Sequence, residues 1–186
     1  ACGVGKFLLE ASSNIPSPYY FENGKLKSNI NLVGLEKRME DDNADLTAIL
    51  AKCNMLIYFS DLFKNNCDDN NKIKQLSTEL LNKVIKSKQT TLGTLEYLEE
   101  DKYDLILANP PYYQSAVISK ASKTVKYVNA NDKLAYTANG MGLEGLFTEW
   151  IVKSIKPSGI ANIVLPDGIF TNIGNKETET WYIVPR

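Results

Sequence analysis

Residues 104–113 read DLILANPPYY, and how this stretch folds decides the architecture. Tyr103, Leu105, Ile106, Leu107 and Ala108 make a nearly continuous apolar run. Such a run suits a central strand covered on both faces, as in a parallel sheet, better than a half-solvated one. Asn109 then falls at the carboxyl edge of the sheet. Pro110 and Pro111 lack a backbone N–H and hold φ at about −65°, so they end the ladder and keep the chain extended beyond it. A rigid corner carrying an amide, exposed carbonyls and the flat ring of Tyr112 suits a planar ligand such as a nucleobase. Its amino group would be accepted by oxygen and its face stacked on the ring. The plainer alternative is a strand-to-loop turn whose prolines only terminate pairing and whose tyrosines pack on helices. Four residues do not choose between these; the surrounding chain must.

The chain has 186 residues, 44% of them apolar, which is enough for one domain with a real core. It contains no His, so an imidazole general base, a Ser-His-Asp triad and a His-ligated metal are excluded within these residues. Cys2, Cys53 and Cys67 have no CxxC spacing, which argues against a zinc cluster or a disulfide framework and for a reducing compartment. No metal is expected. No apolar run approaches the ~20 residues of a membrane helix, and no signal peptide is visible, so a cytoplasmic protein without a membrane partner is expected. A net charge of −1 supplies no global basic field, and nucleic-acid contact must rest on local patches.

The opening ACGVGKFLLEA places Gly3 and Gly5 two apart and runs into a helix-compatible pattern from Lys6 to Ala11. A glycine turn of this kind lets the backbone approach a ligand closely, and the helix N-terminus behind it presents N–H groups and positive dipole character. Such a turn normally follows a strand, so an N-terminal portion of the whole protein is expected before Ala1. Residues 12–28 are turn-rich, with Asn23-Gly24 as a hairpin signal, and read as an insertion. INLVGLE, residues 30–36, is a second apolar run ending in Glu36. A helix is expected from about Asn43 to Tyr58, with Leu46, Ile49, Leu50, Cys53, Leu56 and Ile57 as its buried stripe. An acidic residue ending the second strand of a doubly wound fold binds ribose hydroxyls, and Glu36 stands there; a helix-flanking surface glutamate is the alternative.

Residues 64–88 read as a second insertion, a polar loop over 64–72 followed by an amphipathic helix over 72–88. Its inward side is Ile73, Leu76, Leu80, Val84 and Ile85, and its wet side is Lys72, Lys74, Lys83, Lys86 and Lys88. A basic face of this kind is more often a solvated surface than a phosphate contact. A short strand is expected near Thr90 to Leu92. Residues 142–170 supply a helix from about Leu143 to Ile155, a turn at Pro157-Ser158-Gly159 and a buried strand at Ala161 to Leu165. Strands and helices alternate, so the fold class is α/β, a doubly wound, mainly parallel sheet with its ligand crevice at the carboxyl ends of the strands.

Taken together, ACGVGKFLLEA, GLE, YDLILANPPYY and GLEGLFTEWIVKSIKPSGIANIVLPDGIF resemble the N6-adenine DNA methyltransferases, especially the modification (M) subunits of type I restriction systems. The resemblance covers most of the chain. It implies a Rossmann-like, S-adenosylmethionine-dependent methyltransferase fold, incomplete at both ends, with residues 1–186 as one catalytic domain. It further implies that Ala1, Cys2, Gly3 and Gly5 form the loop around S-adenosylmethionine, that Glu36 binds the ribose, and that Thr94 in LGTL meets the cofactor's adenine. Asn109, Pro110, Pro111 and Tyr112 would receive a target adenine flipped from double-stranded DNA. Lys120, Lys123 and Lys126 follow closely enough to clamp phosphates. The partners implied are DNA, a specificity subunit and a restriction subunit.

This sequence departs from the family in three places. The aspartate that usually opens the glycine motif is absent before Ala1. A polar or acidic residue is replaced by the LGTL segment. After Phe170 only TNIGNKETETWYIVPR remains where a helix and two strands would follow, with Trp181 to Val184 as one surviving strand. Two other classes remain open: a methyltransferase acting on a protein glutamine or an RNA guanine, which presents a similar planar N–H group, and a truncated, non-catalytic binding module.

Overall fold

A computed structural model of the chain describes residues 2–37, 46–88, 95, 98–110 and 142–165. The chain divides into two compact units, Ala1–Thr94 and Leu95–Arg186, each built around a parallel pair of strands.

The first unit begins with helix α1 (Lys6–Ser13) and the hairpin β1 (Tyr19–Glu22) and β2 (Lys25–Ser28). Asn23 and Gly24 both have positive φ, 51° and 73°. That is the backbone of a two-residue primed turn, whose twist matches that of the strands it joins, so the expected hairpin is present. Next come β3 (Gly34–Lys37), α2 (Leu46–Tyr58), α3 (Ser60–Lys64), α4 (Asn70–Leu76), a π-helical stretch over Ser77–Lys83, and β4 (Ile85–Lys88). Asp69 starts α4 by accepting hydrogen bonds from the Asn71 and Lys72 amides at 3.0 and 3.2 Å, a side-chain N-cap. Polar residues 64–72 therefore end one helix and cap another.

Strands β3 and β4 run parallel, from Gly34 opposite Ile85 to Lys37 opposite Lys88. Successive residues of a strand turn their N–H and C=O groups to opposite edges. Gly34 N donates to Val84 O at 2.7 Å, while Leu35 O accepts from Cys2 N at 2.8 Å. So β3 is engaged on both edges, by β4 on one and by the segment at Cys2 on the other.

Three expectations for this unit are corrected. The helix expected over 72–88 gives way to strand at Ile85; Val84 still has helical φ and ψ, and from Ile85 onward a β-branched residue and parallel pairing to β3 favour the extended backbone. Leu76, Leu80 and Val84 are inward as expected, whereas Ile73 is only half-buried. The stripe assigned to α2 is on the wrong side: Leu46, Ile49, Leu50, Cys53, Leu56 and Ile57 are all exposed, and Ala48, Ala51 and Met55 are buried. The physical reason is distance of approach. A Cβ on Gly5 would lie 3.5 Å from Ala51 Cβ, so the side of α2 bearing small residues is the one that can press against the glycine turn. The short strand near Thr90 to Leu92 falls outside the described residues.

The second unit holds β5 (Tyr103–Ala108), α5 (Gly142–Ser154) and β6 (Ile155–Ile163). Leu105 pairs with Ile160 and Ala108 with Ile163 in parallel register, while Tyr103 pairs with Ile155. The intervening residues of β6, Lys156 to Gly159, are accommodated as an irregularity, so the expected turn survives as a bulge within a strand. A Cβ at Gly159 would come within 3.0 Å of the Tyr103 and Asp104 carbonyl oxygens; only glycine lets the bulge close on β5. Leu146, Phe147, Trp150, Ile151 and Ser154 form the buried stripe of α5, at helical spacing. Strand β5 is not covered on both faces, contrary to expectation: Ile106 is buried but Leu105 and its register partner Ile160 are exposed. Pleating puts residues 105 and 106 on opposite faces, and only one of these faces is covered.

Candidate active site

In the first unit, the residues from Cys2 to Gly5 make a tight loop whose conformation depends on glycine. Gly3 and Gly5 have φ of 55° and 81°, values that L side chains rarely adopt. Gly5 N donates back to Cys2 O at 3.0 Å, and Leu9 N to Gly5 O at 3.1 Å opens α1. Around Gly3, a Cβ would meet no atom within 4 Å. The left-handed backbone is what calls for glycine there, and it leaves open space on that side of the loop.

Four contacts hold the loop. Cys2 N is bonded to β3 through Leu35 O. Gly3 N donates to Glu36 Oε2 at 2.6 Å, a short, charge-assisted bond. Asn54 Nδ2 reaches from α2 to Val4 O at 3.0 Å. Cys2 Sγ packs beside Gly34, where a Cβ would stand 3.0 Å from the sulfur, 2.8 Å from Leu8 Cδ1 and 2.9 Å from Ile85 Cδ1. Burial foremost, and the Glu36 carboxylate second, push the Cys2 thiol up to about 12. It is therefore a neutral packing group, not a nucleophile. Gly5, the N-cap of α1, has no side chain to offer the helix, so the amides of the first turn depend on other acceptors.

In the second unit, Val164 N donates to Ala108 O at 2.9 Å, and the residue after Ala108 is Asn109. Asn109 is exposed and Pro110 fully buried. The first proline thus anchors the chain while the asparagine stands at the surface beyond the carboxyl end of β5. Pro111, Tyr112, Ala1, Thr94, Lys120, Lys123, Lys126 and residues 181–184 lie outside the described residues. The structure brings Cys2, Gly3, Gly5 and Glu36 together in one unit and puts Asn109 and Pro110 at a strand end in the other.

A model of the N-6 DNA methylase family matches residues 1–182. The chain belongs to this family. A curated tRNA1(Val) (adenine(37)-N6)-methyltransferase from Dyadobacter fermentans is 34% identical over 71 residues, covering 38% of this chain. The match spans about a quarter of that relative's length, 26%. No solved structure matches.

Methyltransferases of the N-6 DNA methylase family use S-adenosylmethionine, and the donor set here fits such a group. A half-buried carboxylate stands at the end of β3. A carboxylate has about four lone-pair positions, so Glu36 can serve more than one donor, and an acceptor of this kind suits a ribose hydroxyl. The open side of Gly3 and the uncapped α1 terminus suit the polar end of the same molecule. The sequence reading missed Asn54, Gly34 and Ala51. A lone amide within the apolar LTAILAKCNMLIY was a legible signal for Asn54, but small residues at packing points carry none. Among the described residues no cluster of His, Cys, Asp and Glu is placed to hold a metal ion, and no helix is long and apolar enough to cross a membrane.

Proposed function

We propose that this protein transfers a methyl group from S-adenosylmethionine to the N6 amino group of adenine in DNA, as the catalytic part of a type I modification subunit. The observation that carries this reading is the position of Asn109 and Pro110 directly past the last paired residue of β5 in a chain matched to the N-6 DNA methylase family over nearly its whole length. The parallel pairing of β3 with β4 in the first unit and of β5 with β6 in the second supports an α/β, doubly wound fold. Its ligands would sit at the carboxyl ends of the strands. In this reading 1–186 is one catalytic domain, with specificity and restriction subunits as partners.

The cofactor supplies an electrophilic methyl group on sulfonium. Glu36 binds the ribose, and the loop of Cys2, Gly3 and Gly5 follows the rest of the cofactor, with Ala1 before it and Thr94 near its adenine. Asn109 Oδ1 and the Pro110 carbonyl accept the two N–H bonds of the target amino group. That interaction would favour a pyramidal nitrogen whose lone pair could take the methyl as the sulfur–carbon bond breaks and a neutral thioether leaves, the amino proton then passing to solvent. Oriented acceptors of this kind act through position and dipole, and no basic side chain is required. Pro111 keeps the corner rigid, and the Tyr112 ring stacks on the base, offsetting by about 1–3 kcal/mol the few kcal/mol needed to flip it from the duplex.

The named activity of the Dyadobacter relative supports a second reading, adenine N6 methylation in RNA. The test is transfer from labelled S-adenosylmethionine to duplex DNA and to tRNA, with the modified base identified by mass spectrometry. N6-methyladenine in DNA alone is expected. Product in tRNA alone would establish the second reading, and methylated guanine would overturn both. Asn109→Ala is expected to abolish transfer with cofactor affinity unchanged; transfer at the parental rate would reduce the tetrad to a turn.

A further inference from the structure

The hairpin β1–β2 does not stand apart from its unit. Gln75 on α4 accepts from Leu26 N at 2.9 Å and donates to Gly24 O at 3.0 Å, and the Lys72 ammonium lies 5.3 Å from the centre of the Phe21 ring. Tyr19 is buried and meets Phe59 edge to face at 5.4 Å. These contacts fix one wall against another and leave between them a groove of about 480 Å³.

The lining of the groove is polar and cationic. Lys27 comes from β2, Lys74, Asn71 and Gln75 from α4, and Thr78 and Lys83 from the π-helical stretch. Lys83 is paired with Glu79 at 2.8 Å. Lys27 and Lys74 are exposed and have no carboxylate partner among the described residues. Residues 19–28 and 70–88 carry seven lysines against two glutamates, in a chain whose net charge is −1. The groove itself is lined by three lysines, Lys27, Lys74 and Lys83, against one carboxylate, Glu79. Tyr19 also lines it, and burial, then Glu79, push its phenol up to about 12, so it stays a hydrogen-bond donor at neutral pH.

We infer that this groove binds the sugar–phosphate backbone of the nucleic-acid substrate, through residues to which the proposed chemistry assigns no role. Unpaired ammonium groups, amides and hydroxyls are the partners phosphate oxygens take, and they carry no base information. Apart from Tyr19, which is buried against Phe59, the groove lining offers no ring to stack a base. The groove therefore adds affinity and salt dependence, not sequence preference. This inference rests on the proposed nucleic-acid substrate; phosphodiester chemistry is common to DNA and RNA, and the test separates them.

Binding of fluorescein-labelled duplex DNA and of an RNA hairpin to the intact protein, followed by anisotropy from 50 to 200 mM KCl, is the experiment. Lys27→Glu with Lys74→Glu is expected to weaken binding about tenfold or more. It should also lower the slope of log K against log salt by about 2 on duplex, near 0.9 per phosphate contact. The loss should be equal across unrelated base sequences, with S-adenosylmethionine affinity unchanged. The milder Lys27→Gln with Lys74→Gln guards against misfolding and should show a smaller shift in the same direction. Lys64→Glu, an exposed lysine outside the groove, should bind as the parent. Parental affinity and slope in both double variants, beside a parent that methylates adenine, would overturn the groove alone. A parent that neither binds nor methylates either nucleic acid would overturn the substrate reading with it.

Discussion

Glu36→Ala separates two consequences of one carboxylate. Oε2 lies 2.6 Å from Gly3 N, and hydrogen bonds to charged groups contribute about 1.5–3 kcal/mol. Gly3 is half-buried, so water can reach the freed amide and the lower end applies, about 1.5 kcal/mol. For a chain of this size that corresponds to a Tm lowered by about 3–6 °C without ligand. If Glu36 also receives the ribose, the variant loses a further contact made only in the complex and starts from a loop no longer held in place. Cofactor binding should then weaken by about 1–3 kcal/mol, roughly 5- to 150-fold in Kd. Glu36→Gln keeps an oxygen acceptor for Gly3 and for the ribose and should recover about half of each loss, since the neutral amide forms a bond about half as strong. Titration calorimetry with S-adenosylmethionine and a melting curve without it read the two effects independently. A lowered Tm with unchanged affinity would make Glu36 a tie for the loop and remove it from the cofactor site.

Gly34→Ala should destabilise the first unit by about 1–3 kcal/mol, an overpacking cost, because the new methyl would stand 2.8–3.0 Å from Leu8, Ile85 and Cys2; denaturant unfolding measures it. Met55→Ala should cost about 2–5 kcal/mol, since Met55 is fully buried, whereas Ile57→Ser, at 71% exposure, should stay within about 0.5 kcal/mol; the reverse order would mean the other side of α2 is the buried one. Cys2 stays neutral when folded up to about 12, against 9.0 in its ordinary state. Its contribution to stability is therefore complete below pH 9.0 and lost as pH rises toward 12. At pH 8, a thiol reagent should label the exposed Cys53 and Cys67 and reach Cys2 only on unfolding.

Local backbone chemistry was legible in the sequence by itself. Asn23-Gly24 predicted a hairpin turn, Gly3 and Gly5 a turn into a helix, and the pattern from about Leu143 to Ile155 the helix found at Gly142–Ser154, because each depends on φ preferences and periodicity within a few residues. Glu36 was legible by its place at a strand end. What the sequence could not decide was which of several apolar surfaces would be buried. Helix α2 carries bulky residues on one side and alanines on the other, and a hydrophobic count selects the bulky side. The structure buries Ala48, Ala51 and Met55, and at Ala51 the glycine turn comes so close that a Cβ on Gly5 would lie 3.5 Å from the alanine Cβ. Likewise Val84-Ile85 fits the end of a helix or the start of a strand; pairing with Gly34, fifty residues earlier, makes Ile85 strand. Segment identity is set by short-range torsional preference, whereas burial is set by how near two distant backbones can come.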